Sequence, residues 1–570
     1  MEQDIMEITG EKIENKRVLF ICRETYSQPL WFIAERLKEK NDVACFFIMS
    51  TECSYNKCYY NVNTYYRFKE ELPGIRLYDV KDICEEYTNR LEAAGYKRKG
   101  QLQLFDRIYQ PDQKVRSRRN ERKPIADMEY LEMIEKEYSH FKNLNMQLMC
   151  SQENTRHYHF RYYWSVTNYD ENMLWLELNY KKILGIFEEF KPDMILDFDN
   201  AELQRTIVNE VAYKKNVPYI TVEYSKFGYY KYPTFQNTIG IDDYVVKQYN
   251  ENLKLTPGEL KDEYDYIHEY RNKSTIMNKE FAGTVTSQYE RDSIIWILRV
   301  MRGKFHYFFD MDIAKGNHKL KKKNRILYAP SLPYIKHYWQ VMTLRRKFMG
   351  KNRLFEAPRE GEDYVYMPLH LIPESTVFVK ASYYVDELSL IEAVSKSLPV
   401  GWWLYVKEHQ AMLGERSVDF YKKVRQLHNV RLVQVNHYHD PKPWIMNAKG
   451  VVTIVGTTAY EEALLGRRSI LFGDVPFELI DGITKVHSYE ELPELIRNFG
   501  EIDNIHSCAA YLKTIKDVGF EIDLFYLMAK AEKILAHEEK RDEKFVSQID
   551  ELMKFYEAGY ARWNSYNKKQ

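Results

Sequence analysis

The sequence predicts an α/β protein of two Rossmann-like, doubly wound domains separated by a cleft, and three features predict it. The chain has 570 residues, 45% of them hydrophobic, which is too much for a single core. Apolar runs alternate with amphipathic segments in two separate stretches, as β–α–β units require. In the second stretch, polar residues crowd the ends of three apolar runs, the edge at which open parallel sheets bind ligands.

The first stretch opens with "RVLFICRETYSQPLWFIAERLKEKNDVACFFI". It reads as a buried strand to Cys22, a polar loop, a helix around Leu30 to Lys38 and a strand from Val43 to Ile48. No GxGxxG pattern follows the first strand, so no dinucleotide cofactor is indicated. From about residue 50 to 191 the pattern turns charged, aromatic and mostly helical, and is read as a helical insertion. Within it the cationic segment Tyr96–Lys123 is read as a solvated loop, with contact to an anionic substrate or a membrane surface as the alternative. Strand signals return at Met194 to Leu196 and at Tyr219 to Val222 and complete the first sheet.

Residues 1–355 are assigned to this first domain, 356–535 to the second and 536–570 to a C-terminal amphipathic helix. The second domain alternates strand Tyr364 to Met367, helix Tyr384 to Ser397, strand Trp403 to Val406, helix Ser417 to Leu427 and strand Val430 to Val433. It continues through "VVTIVGTTAYEEALLGRRSILFG", Val451 to Gly473, which reads strand, turn, helix, strand.

The three polar strand ends carry His370, Pro373 and Glu374; Lys407, Glu408, His409 and Gln410; and Gly456, Thr457 and Thr458. A Gly-Thr-Thr turn entering a helix offers free amides, hydroxyls and the positive end of the helix dipole, which suit a phosphate, although the same residues serve as ordinary caps. Lys407 adds a compact charge, and His409 can donate a hydrogen bond or a proton to a departing phosphate. Glu461 and Glu462 lie in the first helical turn, where the dipole favours a carboxylate in any protein.

Lys plus Arg and Asp plus Glu both number 83, so no global field favours nucleic acid or an acidic membrane. The 47 tyrosines suit sugar rings and bases as well as ordinary packing. Seven cysteines without paired CxxC spacing read as reduced thiols, and no apolar run is long enough to span a membrane. A cytoplasmic protein is expected, with peripheral contact at the inner face of the membrane left open.

"YVYMPLHLIPESTVF", "LPVGWWLYVKEHQ" and Val451 to Gly473 resemble the capsule polysaccharide biosynthesis family, which includes bacterial Kdo-transferases. The resemblance implies a GT-B glycosyltransferase fold and a CMP-activated sugar donor. It implies that Lys407 and His409 hold the nucleotide phosphate, with Gln410 standing where the family has proline. It further implies phosphate contact from Thr457 or Thr458 beside Gly456, ribose contact from Glu462, and His370 and Glu374 facing the same cleft. Glu461 is then the bystander.

Glycosyl transfer requires a base or a carboxylate nucleophile from the first domain. Asp199 is the first choice and Glu223 the second, while Asp199 can equally cap the following helix. Asp197-Phe-Asp199 and Asp310-Met-Asp312 spell Asp-x-Asp, and His437 and His439 lie near Asp440, but neither pattern completes a metal set, so no metal and no cofactor are expected. The expectation is a cytoplasmic GT-B enzyme moving a sugar, Kdo or a related ulosonic acid, from CMP to a surface glycan or glycolipid. The alternatives are a UDP- or GDP-sugar donor, a CDP-polyol phosphate donor, and a scaffold without catalysis.

Overall fold

The computed structural model describes residues 12–23, 26–48, 62–95, 124–150, 169–199, 202–235, 240–276, 343–344, 354–372, 375–435, 437–438 and 440–567. Two sheets organise them. The first is seven-stranded, from β1 (Arg17–Cys22), β2 (Asp42–Phe47), β3 (Arg76–Asp79), β4 (Met194–Leu196), β5 (Tyr219–Tyr224), β6 (Tyr230–Thr234) and β13 (Phe520–Glu521), in the order β13-β6-β5-β4-β1-β2-β3. Strands β1 to β5 are parallel, and β6 and β13 add an antiparallel edge.

The second sheet is six-stranded and parallel throughout: β7 (Tyr364–Pro368), β8 (Trp403–Lys407), β9 (Val430–Val433), β10 (Gly450–Thr453), β11 (Ser469–Leu471) and β12 (Ile483–Lys485). Its order, β12-β11-β10-β7-β8-β9, is the doubly wound order, in which the chain reverses direction across the sheet between β7 and β10. The first sheet has the equivalent reversal between β1 and β4. The apolar runs behave as a parallel sheet covered on both faces demands: Val18 to Cys22, Tyr364 to Met367, Leu404 to Val406 and Val451 to Val452 are all buried.

The described chain therefore has the GT-B-like arrangement of two Rossmann-type units. Strand limits expected at β1, β2, β4, β7, β8 and β9 differ by no more than two residues from those observed. One element inside the span read as a helical insertion is different. Arg76–Asp79 is a strand, paired in parallel with Ala44 to Phe47. Every position in it is exposed or half-buried, so no apolar run announced it. The segment Tyr96–Lys123 and Asp310 to Asp312 lie outside the described residues.

The two halves exchange helices. Helices Asp243–Asn252 and Lys261–Asn272 leave the first sheet and pack on Ile505–Val518, placing Val245, Tyr249 and Ile267 in the core of the second. Asn252 donates to Thr514 Oγ1 at 3.0 Å, and Arg271 Nε donates to the Leu464 carbonyl at 2.7 Å. In return, β13 pairs with β6, helix Glu543–Asn567 packs on the first sheet, and Leu524–Leu535 packs on that sheet's helix Ser27–Leu37. The last helix buries Phe545, Ile549, Leu552, Tyr556 and Tyr560, a spacing of three and four that keeps one face apolar. A side chain at Gly559 would stand 2.8 Å from Ile220 Cγ2, so the glycine sets how closely the helix approaches.

Candidate active site

Both chain reversals place polar residues at the carboxyl ends of the strands, and the two edges carry different chemistry. On the second sheet, β7 and β10 diverge at His370 and Thr453. His370 Nε2 lies 3.3 Å from Thr453 Oγ1 and accepts from the Val455 amide at 3.4 Å. Its Nδ1 faces Glu387 Oε1 at 3.4 Å, so the proton sits on Nδ1 and the ring is fully engaged. His370 thus shapes the turn from beneath. Thr453 Oγ1 accepts the Gly456 amide at 3.2 Å, and a Cβ on Gly456 would overlap that same oxygen. Only glycine fits there.

The helix Thr458–Leu464 follows. Thr457 occupies the cap position without making a side-chain cap, and it is exposed. The ordinary capping role for its hydroxyl is therefore not taken up. Thr458 is half-buried beside it.

His409 has the opposite tautomer to His370. Its Nδ1 accepts the Ala411 amide at 3.2 Å, leaving Nε2–H as a donor. Burial, reinforced by the neighbouring Lys407 and Arg416 cations, pushes its pKa down to about 4. The imidazole is neutral at pH 7 and offers a hydrogen bond, not the acidic proton that the sequence suggested as an option. Lys407, at the end of β8, is pushed down to about 8 by burial, against the pull of Glu461 and Asp440.

A buried charge network that sequence reasoning missed fixes these two strand ends. Arg416, 1% exposed, donates through Nη2 to the His370 carbonyl at 3.0 Å and to Glu387 Oε2. Its Nε lies 2.8 Å from Glu408 Oε2, a charge contact rather than an aligned hydrogen bond. Glu408 also accepts from Tyr421 Oη and the His409 amide, each at 2.7 Å. Burial opposes the Glu387 charge, but Arg416 and His370 outweigh it and hold its carboxyl below the usual value. Strand alternation is the available signal: with Lys407 and His409 outward, Glu408 between them must point inward and needs a cation.

The two adjacent glutamates divide differently from the resemblance. Glu462 is fully buried under its helix, with Arg467 Nε at 3.9 Å, on the face turned toward the start of β10 and away from the crevice. Burial raises its pKa well above the carboxylate range, and this placement does not fit the expected ribose contact. Glu461 faces Lys407 and Asp440 instead, and burial pushes it up to about 7 against the Lys407 charge. A residue's position in a seven-residue helix decides this, and adjacent positions differ by about 100°. Glu374 and His439 lie outside the described residues.

On the first sheet, Asp197 is buried, and its carboxylate accepts Arg205 Nε at 2.6 Å, Arg205 Nη2 at 2.9 Å and Tyr219 Oη at 2.6 Å. Asp199 accepts Arg205 Nη1 at 2.9 Å and lies 3.4 Å from Arg23 Nη1. The helix begins at Leu203, with Glu202 in the cap position at φ 93°, so Asp199 does not cap it. Both acids belong to a structural ion cluster. Glu223, at the end of β5, is different: its Oε2 meets Lys380 Nζ, which ends the helix Ser375–Lys380 of the second half. Among the described residues no group of three His, Cys, Asp or Glu side chains is placed to hold a metal ion. No described helix is long and apolar enough to cross a membrane, and the described cysteines are free and buried.

The class defined by fold and edge chemistry is thus a GT-B-like pair of Rossmann units. No protein-family model matches the chain, and no curated protein matches it. Among solved structures it is similar to a Thermosulfurimonas dismutans β-Kdo 2,7 transferase, KpsC, at 11% identity and TM-score 0.27, over 58% of this chain and 79% of that one. It is also similar to the Methanocaldococcus jannaschii UDP-GlcNAc 2-epimerase at 11% identity and TM-score 0.24, over 88% and 98% of the two chains. The spinosyn rhamnosyltransferase SpnG aligns at 9% identity and TM-score 0.22, over 88% and 95%. At this level of superposition the fold assignment rests on strand order and connections, and no substrate follows.

Proposed function

We propose that the chain is a glycosyltransferase that takes its sugar from a nucleotide-linked donor on the second sheet and passes it to an acceptor held against the first. The observation that supports this most is the β7–β10 reversal. There a glycine turn, exposed Thr457, the Nε2–H of His409 and the Lys407 ammonium stand on one strand edge. These groups suit a phosphate. Glu461, rather than Glu462, takes the ribose hydroxyls, and Glu223 is the base for the acceptor hydroxyl. The acceptor oxygen then bonds to the anomeric carbon, the proton passes to Glu223, and the carbon–phosphate oxygen bond breaks with its electron pair leaving on the nucleotide. The acceptor is a surface glycan or glycolipid, reached at the cytoplasmic face of the membrane.

A CMP-linked ulosonic acid and a UDP- or GDP-linked sugar both place a phosphate on this edge. Thermal stability with CMP, CDP, UDP and GDP assigns the base. The reading expects a dose-dependent rise with at least one of them, and no rise with any would contradict it. Nucleotide binding without any sugar transfer by the wild type would leave a scaffold.

Two further outcomes follow. Glu461→Gln weakens the bound nucleotide by roughly ten- to a hundredfold, the scale of a charge-assisted hydrogen bond, whereas Glu462→Gln changes affinity less than about twofold. Calorimetric titration of both variants checks this. Lys407 titrates at about 8, so raising the pH through that value removes its charge. Nucleotide affinity then falls between about pH 7.5 and 9, and the fall disappears in Lys407→Met. An affinity that stays flat across that range in the wild type would rule out Lys407 as the phosphate's cation.

A further inference from the structure

Lys380 was not singled out in the sequence, and its surroundings connect the two edges. It ends the helix Ser375–Lys380, one loop beyond β7. Its backbone carbonyl accepts the Asp474 amide at 3.3 Å. Gly473 lies so close that a Cβ there would stand 2.7 Å from Ala381 Cβ and 3.0 Å from the Lys380 carbonyl, and would overlap Val455 Cγ1. Val455 is the residue before Gly456. The Lys380 backbone therefore adjoins Gly473, which in turn adjoins Val455, the residue leading into the Gly456 turn. Its ammonium, 8% exposed, does not face the turn; it meets the equally buried Glu223 carboxylate of the first sheet.

We propose that Lys380 is a second anion-binding residue of the site, with Glu223 occupying its ammonium until a phosphate group takes it over. This rests on the nucleotide-sugar reading for its purpose, but the contact itself is a choice between two anions. Lys380 has a flexible four-carbon stem, so it can exchange a carboxylate for a phosphate without backbone movement. The exchange does two things at once. It brings a second cation to the departing phosphate, and it releases Glu223 to accept the acceptor's proton. The carboxylate thus stays masked while the donor site is empty. Glu478, which lies near Lys380 and Lys485 and accepts the Val475 amide at 3.3 Å, stays in place as the background charge in both states.

Inorganic pyrophosphate is the direct probe, because it carries the charge without the base or the sugar. Titrated calorimetrically into the full chain, it should bind about tenfold more weakly to Lys380→Gln than to wild type. It should bind about three- to tenfold more tightly to Glu223→Gln, where the competing charge is gone. In Lys380→Gln/Glu223→Gln the second substitution should have no effect, since it acts only through the lysine. Lys380→Arg retains binding and controls for folding, alongside a thermal scan of each unliganded variant. Unchanged affinity in Lys380→Gln, equal effects of Glu223→Gln with and without the lysine, or no pyrophosphate binding to wild type would each overturn the proposal. Nucleotide binding that is indifferent to Lys380 leaves the glycosyltransferase reading standing without this inference. Pyrophosphate binding without nucleotide preference does the reverse.

Discussion

Arg416→Met lowers the unfolding free energy by roughly 3–5 kcal/mol, the cost of leaving a buried charge without its partner. Glu387 and Glu408 are each 2% exposed, and both depend on this one guanidinium. Denaturant unfolding followed by tryptophan fluorescence reads the loss, since Trp444 lies in the same core. The cause is separable from lost packing. In Arg416→Met/Glu387→Gln/Glu408→Gln these three positions carry no charge, and most of the stability returns. The variant also loosens both strand ends, because the His370 carbonyl and, through Glu408, the His409 amide lose their anchor. A loss below about 1 kcal/mol would mean that the network contributes little to holding the site.

Glu223→Gln abolishes a base, and sugar transfer at saturating donor falls by about a hundred- to ten-thousandfold while the fold persists. Single-turnover transfer measured with the nucleotide sugar that the thermal titration selects gives the number. Asp199→Asn is the contrast. Asp199 sits between Arg205 and Arg23, so its loss appears in stability, and the turnover of the folded fraction is retained. The opposite pattern, with Asp199 lethal to chemistry and Glu223 silent, would restore the order of preference that the sequence suggested.

Apolar runs marked β1, β7 and β10 because strands buried on both faces need continuous hydrophobic residues, and polar ends after them marked the edge at which open parallel sheets generally bind ligands. Lys407, His409, Gly456 and Thr457 became candidates in this way. Partners remote in sequence were not legible. Asp199 looked available because nothing in "DFDNAELQR" says that Arg205 folds back onto it, and Arg23 lies 176 positions away. Glu461 and Glu462 are chemically equivalent neighbours, and only the orientation of their helix separates one facing Lys407 from one under the helix beside Arg467. Lys380 carried no motif at all; its interest comes from Glu223, 157 positions away in the chain. The strand Arg76–Asp79 and the return of the chain to the first sheet at Phe520–Glu521 were invisible for a related reason, since edge strands need little burial.

The glycosyltransferase proposal requires a nucleotide phosphate at the β7–β10 reversal of the second sheet. A crystal structure with the nucleotide selected by thermal titration tests it most directly. The phosphate is expected within hydrogen-bonding distance of the Gly456 to Thr458 turn and of His409 Nε2, with a ribose hydroxyl on Glu461. Phosphate bound instead at the Arg23–Asp199–Arg205 cluster of the first sheet would contradict it.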